Sequence, residues 1–192
     1  MTFLEYQKLF ETILTTENPP SPYNNPAYIN FTKLNQSRMS RWDKTMVLNE
    51  ELVKRLGSIQ EPQHWIIITE PWCGDAAHSL PFMIALAESS DKITYDIELR
   101  DSEPHRINHY LTNGGKSIPK LIALDPGGQD LFSWGPRPVQ AQKINDDMRA
   151  TNARYDEINL KLQVWYNADK GVSFQEELLE LITQLTDSPV LL

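Results

Sequence analysis

Residues 64–69, His-Trp-Ile-Ile-Ile-Thr, form a short, β-branched and almost unbroken apolar run. A strand of this kind has no face to offer to water, so it belongs inside a sheet covered on both sides. The chain around it supplies covering helices. Phe3, Tyr6, Leu9, Phe10, Ile13 and Leu14 recur at helical spacing. The pattern returns from Ala27 to Leu56, with Leu34, Met39, Trp42, Met46, Val47, Leu52 and Leu56 as expected buried positions and Gly57 as the stop. Between these stretches Pro19, Pro20, Pro22 and Pro26 stand among Asn and Ser and forbid regular structure.

Downstream of the run, Gly74 to Ser89 reads as a helix interrupted by Pro81, and residues 92–99 alternate like a second strand. Residues 102–111 predict a short helix with Ser102 as its N-cap and Pro104 in the first turn. Two more strands, 120–125 and 130–135, flank a tight turn at Pro126-Gly127-Gly128-Gln129 and form a hairpin. The sheet is therefore mixed, because the first two strands need a helical crossover and the last two do not. A long helical stretch follows from Pro138 to Asn167, carrying Ile144, Met148, Tyr155, Ile158, Leu162 and Trp165. Gly171 ends it, and Ser173 with Glu176 predicts a capping box for a last helix through Leu185.

A chain of 192 residues with 40% hydrophobic and 23% charged composition can bury one core without disulfides or metal. Its one cysteine rules out an internal bridge and fits a reducing compartment. Against 26 acidic residues stand 18 basic ones, for a net charge of -8 with no basic run, which argues against nucleic acid and anionic membrane as partners. The first residues lack the basic start and apolar stretch of a signal peptide, and no segment approaches the ~18 apolar residues of a membrane span. The expectation is a soluble, cytoplasmic protein.

The one cysteine, Cys73, sits between Trp72 and Gly74 at the entry to the proline-interrupted helix. Pro81 lies 8 residues beyond it, Ile118-Pro119 begins 45 residues beyond it, and Gly135 and Gly127 lie 16 and 8 residues past Pro119. In that order and register the landmarks resemble the thioredoxin family, whose members carry Trp-Cys-Gly-Pro-Cys. The resemblance covers roughly Ile59 to the last helix. It implies an α/β, thioredoxin-like three-layer fold with a mixed central sheet over residues 59–192. Residues 1–58 form an N-terminal helical extension, and the extended C-terminal helices join the same structural unit. The chain is similar to helically extended bacterial members of the family.

Two positions depart from the family pattern: Ala76 replaces the second cysteine, and Ile67 replaces the buried acid six residues before the first. The second thiol resolves the mixed disulfide formed by the first, and the acid helps deprotonate it, so dithiol reductase chemistry is excluded. Cys73 would then be a lone nucleophile. The helix dipole that favours its thiolate contributes about 0.3 to 1 kcal/mol, less than the ~1.4 kcal/mol that moves a pKa by one. Asp75 adds an opposing charge, so activation needs another donor, and Arg137 is the candidate if Gly135 lies beside the cysteine.

Two functions are open. In one, the protein is a monothiol oxidoreductase acting on a protein or small thiol or disulfide, with glutathione as an external resolving thiol and no resident cofactor. Cys73 is then the nucleophile, Trp72 the exposed rim, and Gly74, Asp75, Ile118, Pro119, Gly135 and Arg137 the surrounding cleft. In the other, the cleft is a redox-silent binding or adaptor site, where the resemblance implies a cis Ile118-Pro119 peptide that exposes backbone to an extended chain. The extra helices leave a homodimer open.

Other constellations are weaker. His105 and His109 share a helix face with Glu103 nearby, but without a second ligand cluster a solvated face is the better reading than a metal site. His78, five residues after Cys73, projects about 140° away from it around a helix and is poorly placed as its base. Trp42, Trp134 and Trp165 read as core or cleft-lining aromatics.

Overall fold

β1 (Gln63–Thr69) occupies an interior position in the sheet, where its sequence demands cover. The computed structural model describes residues 1–187. Strand order is β2-β1-β3-β4, with β2 (Ile93–Leu99) parallel to β1, and β3 (Lys120–Leu124) and β4 (Asp130–Trp134) completing the sheet in antiparallel pairings. Among the described residues seven α-helices surround it: α1 (Phe3–Thr15), α2 (Pro26–Thr45), α3 (Glu50–Gly57), α4 (Gly74–Glu88), α5 (Val139–Ala150), α6 (Tyr155–Asp169) and α7 (Val172–Asp187). The expected mixed α/β sheet with helical additions at both ends is what the chain forms.

The period-two alternation of a strand divides the packing. Trp65 and Ile67 join a large core with Leu52, Leu80, Phe82 and Leu178, whereas Ile66 and Ile68 join a second cluster with Cys73, Ala76, Ile118 and Ile122. The cysteine is thus part of a hydrophobic cluster on the sheet.

The stretch expected as one helix from Ala27 to Leu56 is two, broken at Met46–Asn49. The break is held by a side chain 126 residues away: the Asn49 N–H donates to Gln175 Oε1 (2.7 Å), and Gln175 Nε2 donates to the Val47 carbonyl (3.1 Å). Asn49 Oδ1 then caps α3 by accepting from the Leu52 N–H at 3.0 Å. Val47 is accordingly 79% exposed and Leu34 48% exposed, so neither is core, while Met39, Trp42, Leu52 and Leu56 are buried.

Likewise the stretch from Pro138 to Asn167 divides at Thr151–Arg154, where Asn152 takes a left-handed conformation (φ 56°). Residues 102–111 hold a one-turn 3-10 helix, Arg106–His109, entered through left-handed His105. Ser102 caps nothing there, since its hydroxyl donates to the Leu99 carbonyl. Ser173 lies inside α7, and it is Asp169 that accepts from the N–H groups of Gly171 and Ser173, both at 3.1 Å. No helix among the described residues is long and apolar enough to cross a membrane.

Candidate functional site

Cys73 is the N-cap residue of α4, and its own N–H is spent on the Glu70 carbonyl at 2.9 Å. Its side chain is inside the second cluster, leaving the residue 6% exposed, and Sγ donates to the Ile118 carbonyl at 3.3 Å. The Ile118–Pro119 peptide is cis. One lone pair of the carbonyl that a docking strand would use is therefore taken by the thiol. Burial, reinforced by the charge of Asp75, pushes the Cys73 thiol up to about 12; the Ala76 and Asp75 N–H groups and Arg137 pull the other way and are outweighed.

Arg137 does enter the cleft. Its Nε and Nη2 lie 3.1 and 2.5 Å from Asp75 Oδ2, Nη1 reaches Gln142 Oε1 at 3.0 Å, and Tyr166 donates its hydroxyl to Asp75 Oδ1 at 2.8 Å. Both oxygens of Asp75 are thus occupied, and the fork of Arg137 is committed to Asp75 rather than to the sulfur. Gly135 lies against Pro119, close enough that a Cβ would stand 2.2 Å from the Pro119 carbonyl oxygen. Lys120 braces this junction by donating from Nζ to the Gly135 carbonyl and to Thr112 Oγ1, each at 2.9 Å.

Trp72 is half-buried, with the Arg100 guanidinium 4.8 Å over its ring and Tyr28 edge-on at 5.5 Å. Gly74 faces α2: a Cβ there would meet Arg38 Nη1 at 3.5 Å. His105 pairs with Glu103 at 3.2 Å, and among the described residues no three His, Cys, Asp or Glu side chains gather into a metal-binding group.

Several site residues escape the sequence reading. Fully buried Asn35 donates from Nδ2 to the Pro71 carbonyl (2.9 Å) and accepts from Arg38 Nη1 (2.8 Å), stitching α2 to the cysteine loop. His78, read from the sequence as poorly placed to serve Cys73, is stacked on Tyr166 at 4.3 Å with 5° between the rings, a contact the sequence does not announce. Trp42 Nε1 donates to its Nδ1 at 3.1 Å, which leaves Nε2 to carry the proton toward Gln163 Oε1 at 3.2 Å. Burial, with Arg38 and Arg41 adding repulsion, pulls His78 down to about 3, so it is a neutral structural ring. Glu70, three residues before Cys73, is a buried carboxyl raised above its usual range by burial and hydrogen-bonded by Tyr23 at 3.4 Å.

Of these groups, Arg38, Trp72, Cys73, Asp75, His78, Ile118, Arg137 and Tyr166 line a cleft of about 870 Å³, with α2 on one side, residues 72–75 and 116–118 beneath, and α5 and α6 on the other side. The family model described as Thioredoxin matches residues 23–149, well over half of the chain.

The chain belongs to the thioredoxin family. The span matched by the family model takes in α2 and α3 as well as Cys73, Pro119, Gly135 and Arg137. Tyr166 and Gln163 of α6, which hold Asp75 and His78, lie beyond it. Among solved structures, this thioredoxin-family chain is similar to a Pseudomonas aeruginosa protein of unknown function, with 15% identity and a TM-score of 0.55 over 80% of this chain and 84% of that one. It is also similar to an HIV epitope-scaffold, with 14% identity and a TM-score of 0.54 over 95% of this chain and 98% of that one. At such identities the likeness is one of fold. No curated protein matches the chain.

Proposed function

We propose that this thioredoxin-family protein is redox-silent and works by binding a ligand in the cleft over Cys73. The observation that carries this reading is the state of the sulfur: buried, donating to the Ile118 carbonyl, and raised to about 12. Exchange begins with a thiolate. So raised, the sulfur is a protonated thiol at neutral pH. A monothiol oxidoreductase resolved by glutathione would need both an ionised sulfur and a path to it, and the arginine closest to that role is committed to Asp75. Retained in the second cluster, Cys73 serves as a small apolar side chain that satisfies a backbone carbonyl.

The test is the rate of Cys73 alkylation by iodoacetamide as a function of pH, native against unfolded. The expected result is slow native reaction with no thiolate titration below that of the unfolded chain. Rapid native alkylation at neutral pH, together with a glutathione mixed disulfide seen by intact mass, would overturn this reading and restore monothiol exchange.

A further inference from the structure

The cleft is lined by six basic residues, Arg38, Arg41, Arg100, Lys116, Arg137 and Arg149, and by one acid among the described residues, Asp75. In a chain whose net charge is -8, this is a local reversal of the protein's overall sign. Pairing within the chain cancels only part of it. Arg137 is matched to Asp75, and Arg100 to Asp101 at 2.5 Å. Three guanidiniums have no carboxylate among the described residues: Arg38 donates to the neutral Asn35 side chain, Arg149 to the neutral Asn145 Oδ1 at 3.2 Å, and Arg41 lies 4.4 Å over the Trp42 ring.

Holding these charges together has a cost. Arg38 and Arg41 are one turn apart on α2, and burial together with the charge of Arg41 weakens the hold of Arg38 on its proton. A half-buried cation beside a second one, offset only in part by an Asp75 already held by Arg137 and Tyr166, leaves a charge arrangement that a further anion would complete. Guanidinium forks fit the oxygens of carboxylates and phosphates.

The other part of the lining is apolar. Leu34 is 48%, Tyr155 63% and Leu160 67% exposed where they border the cleft, and Ile158 and Leu162 continue that surface inward. The volume of about 870 Å³ is that of a pocket for one small molecule. Resting on the binding reading above, we propose that the cleft takes a small amphipathic oxyanion, its acidic head held by Arg38, Arg41 and Arg149 and its aromatic or branched body laid against α6. The head is a carboxylate or a phosphate.

The probe is 8-anilinonaphthalene-1-sulfonate, an aromatic anion, titrated by fluorescence against the native protein. Its uncharged relative N-phenyl-1-naphthylamine serves as the control. The anionic dye is expected to bind with one-to-one stoichiometry, and Arg38→Gln, Arg41→Gln and Arg149→Gln each to weaken it at least fivefold while leaving the neutral dye unchanged. Arg41 and Arg149 are exposed, so those two variants keep the test valid should Arg38→Gln fail to fold. Displacement by 1-naphthoate and by 1-naphthyl phosphate, with 1-naphthol as the uncharged reference, decides between the two heads. Absence of anionic-dye binding, equal affinity in all three variants, or parallel loss of both dyes overturns the proposal. An inert Cys73 with no dye bound removes the ligand class and leaves the redox-silent reading intact. A reactive Cys73 with arginine-dependent dye binding removes the redox-silent reading and keeps the anion site.

Discussion

Arg137 holds Asp75 through two nitrogens on one carboxylate oxygen, and Tyr166 takes the other oxygen, so the charge nearest Cys73 is fixed in place by α6 and by the turn before α5. The family motif is thereby tied to helices that follow the hairpin.

Replacing Asp75 with Asn tests that arrangement in two ways. Arg137 is left as a mostly buried, unpaired cation, and the expected loss is about 2 to 4 kcal/mol in urea unfolding, toward the low side of buried ion pairs because both partners keep some solvent contact. Removing the carboxylate also removes the second-largest cause of the raised Cys73 value and frees Arg137 to favour the thiolate. Alkylation of Cys73 should therefore begin at lower pH than in the parent protein, yet still above an ordinary thiol, since burial remains.

His78 gives the fold an acid-sensitive component. Its folded value, about 3, lies below the ordinary 6.5, so between them the unfolded chain takes up a proton that the native state does not. The stability carried by the neutral ring is complete above about pH 6.5 and is lost as pH falls toward 3, at up to about 1.4 kcal/mol per pH unit. His78→Gln should be less stable at pH 7, and the gap between the two proteins should narrow at pH 5, measured as unfolding free energies in urea.

Gly135 and Gly128 both have positive φ, 117° and 81°, but differ in what surrounds them. An added Cβ at Gly128 meets nothing within 4 Å, whereas at Gly135 it overlaps the Pro119 carbonyl oxygen. Gly128→Ala should cost about 1 kcal/mol of backbone strain. Gly135→Ala should cost roughly 3 kcal/mol or more, because two backbone segments must separate. Thermal unfolding of the pair gives the comparison.

Gln175 is nearly fully buried and joins α7 to the break between α2 and α3. Gln175→Leu leaves the Asn49 N–H and Val47 carbonyl without their partner, at an expected cost of about 1 to 3 kcal/mol. Hydrogen exchange should locate the change at residues 46–52, away from the mutated helix.

What the sequence made legible was what local chain geometry determines. The covered strand 64–69, the crossover to 93–99 and the 120–134 hairpin follow from periodicity and turn chemistry, and the spacings between Cys73, Pro119 and Gly135 are set by those element lengths. Less legible was anything depending on how a helix is rotated. Leu34 has core-like spacing, but its face of α2 borders the cleft, which is also why Arg38 and Arg41 look like ordinary solvated charges in the sequence. Arg137 could be placed near the cysteine through Gly135, but its commitment to Asp75 depends on Tyr166 and the packing of α6. The helix breaks at 46–49 and 151–154 escaped for a similar reason: the first is fixed by Gln175 from the far end of the chain, and the second by a left-handed asparagine inside an otherwise helical pattern.

The hairpin of α5 and α6 has an apolar cluster of its own, built from Ala141, Ile158, Leu162 and Tyr166, which shares no member with the two clusters around the sheet. Its ties to α4 are the Asp75 and His78 contacts, which are polar or stacked. The wall of the cleft is therefore fastened to the motif helix through one carboxylate and one imidazole, and a change at either is transmitted to both elements.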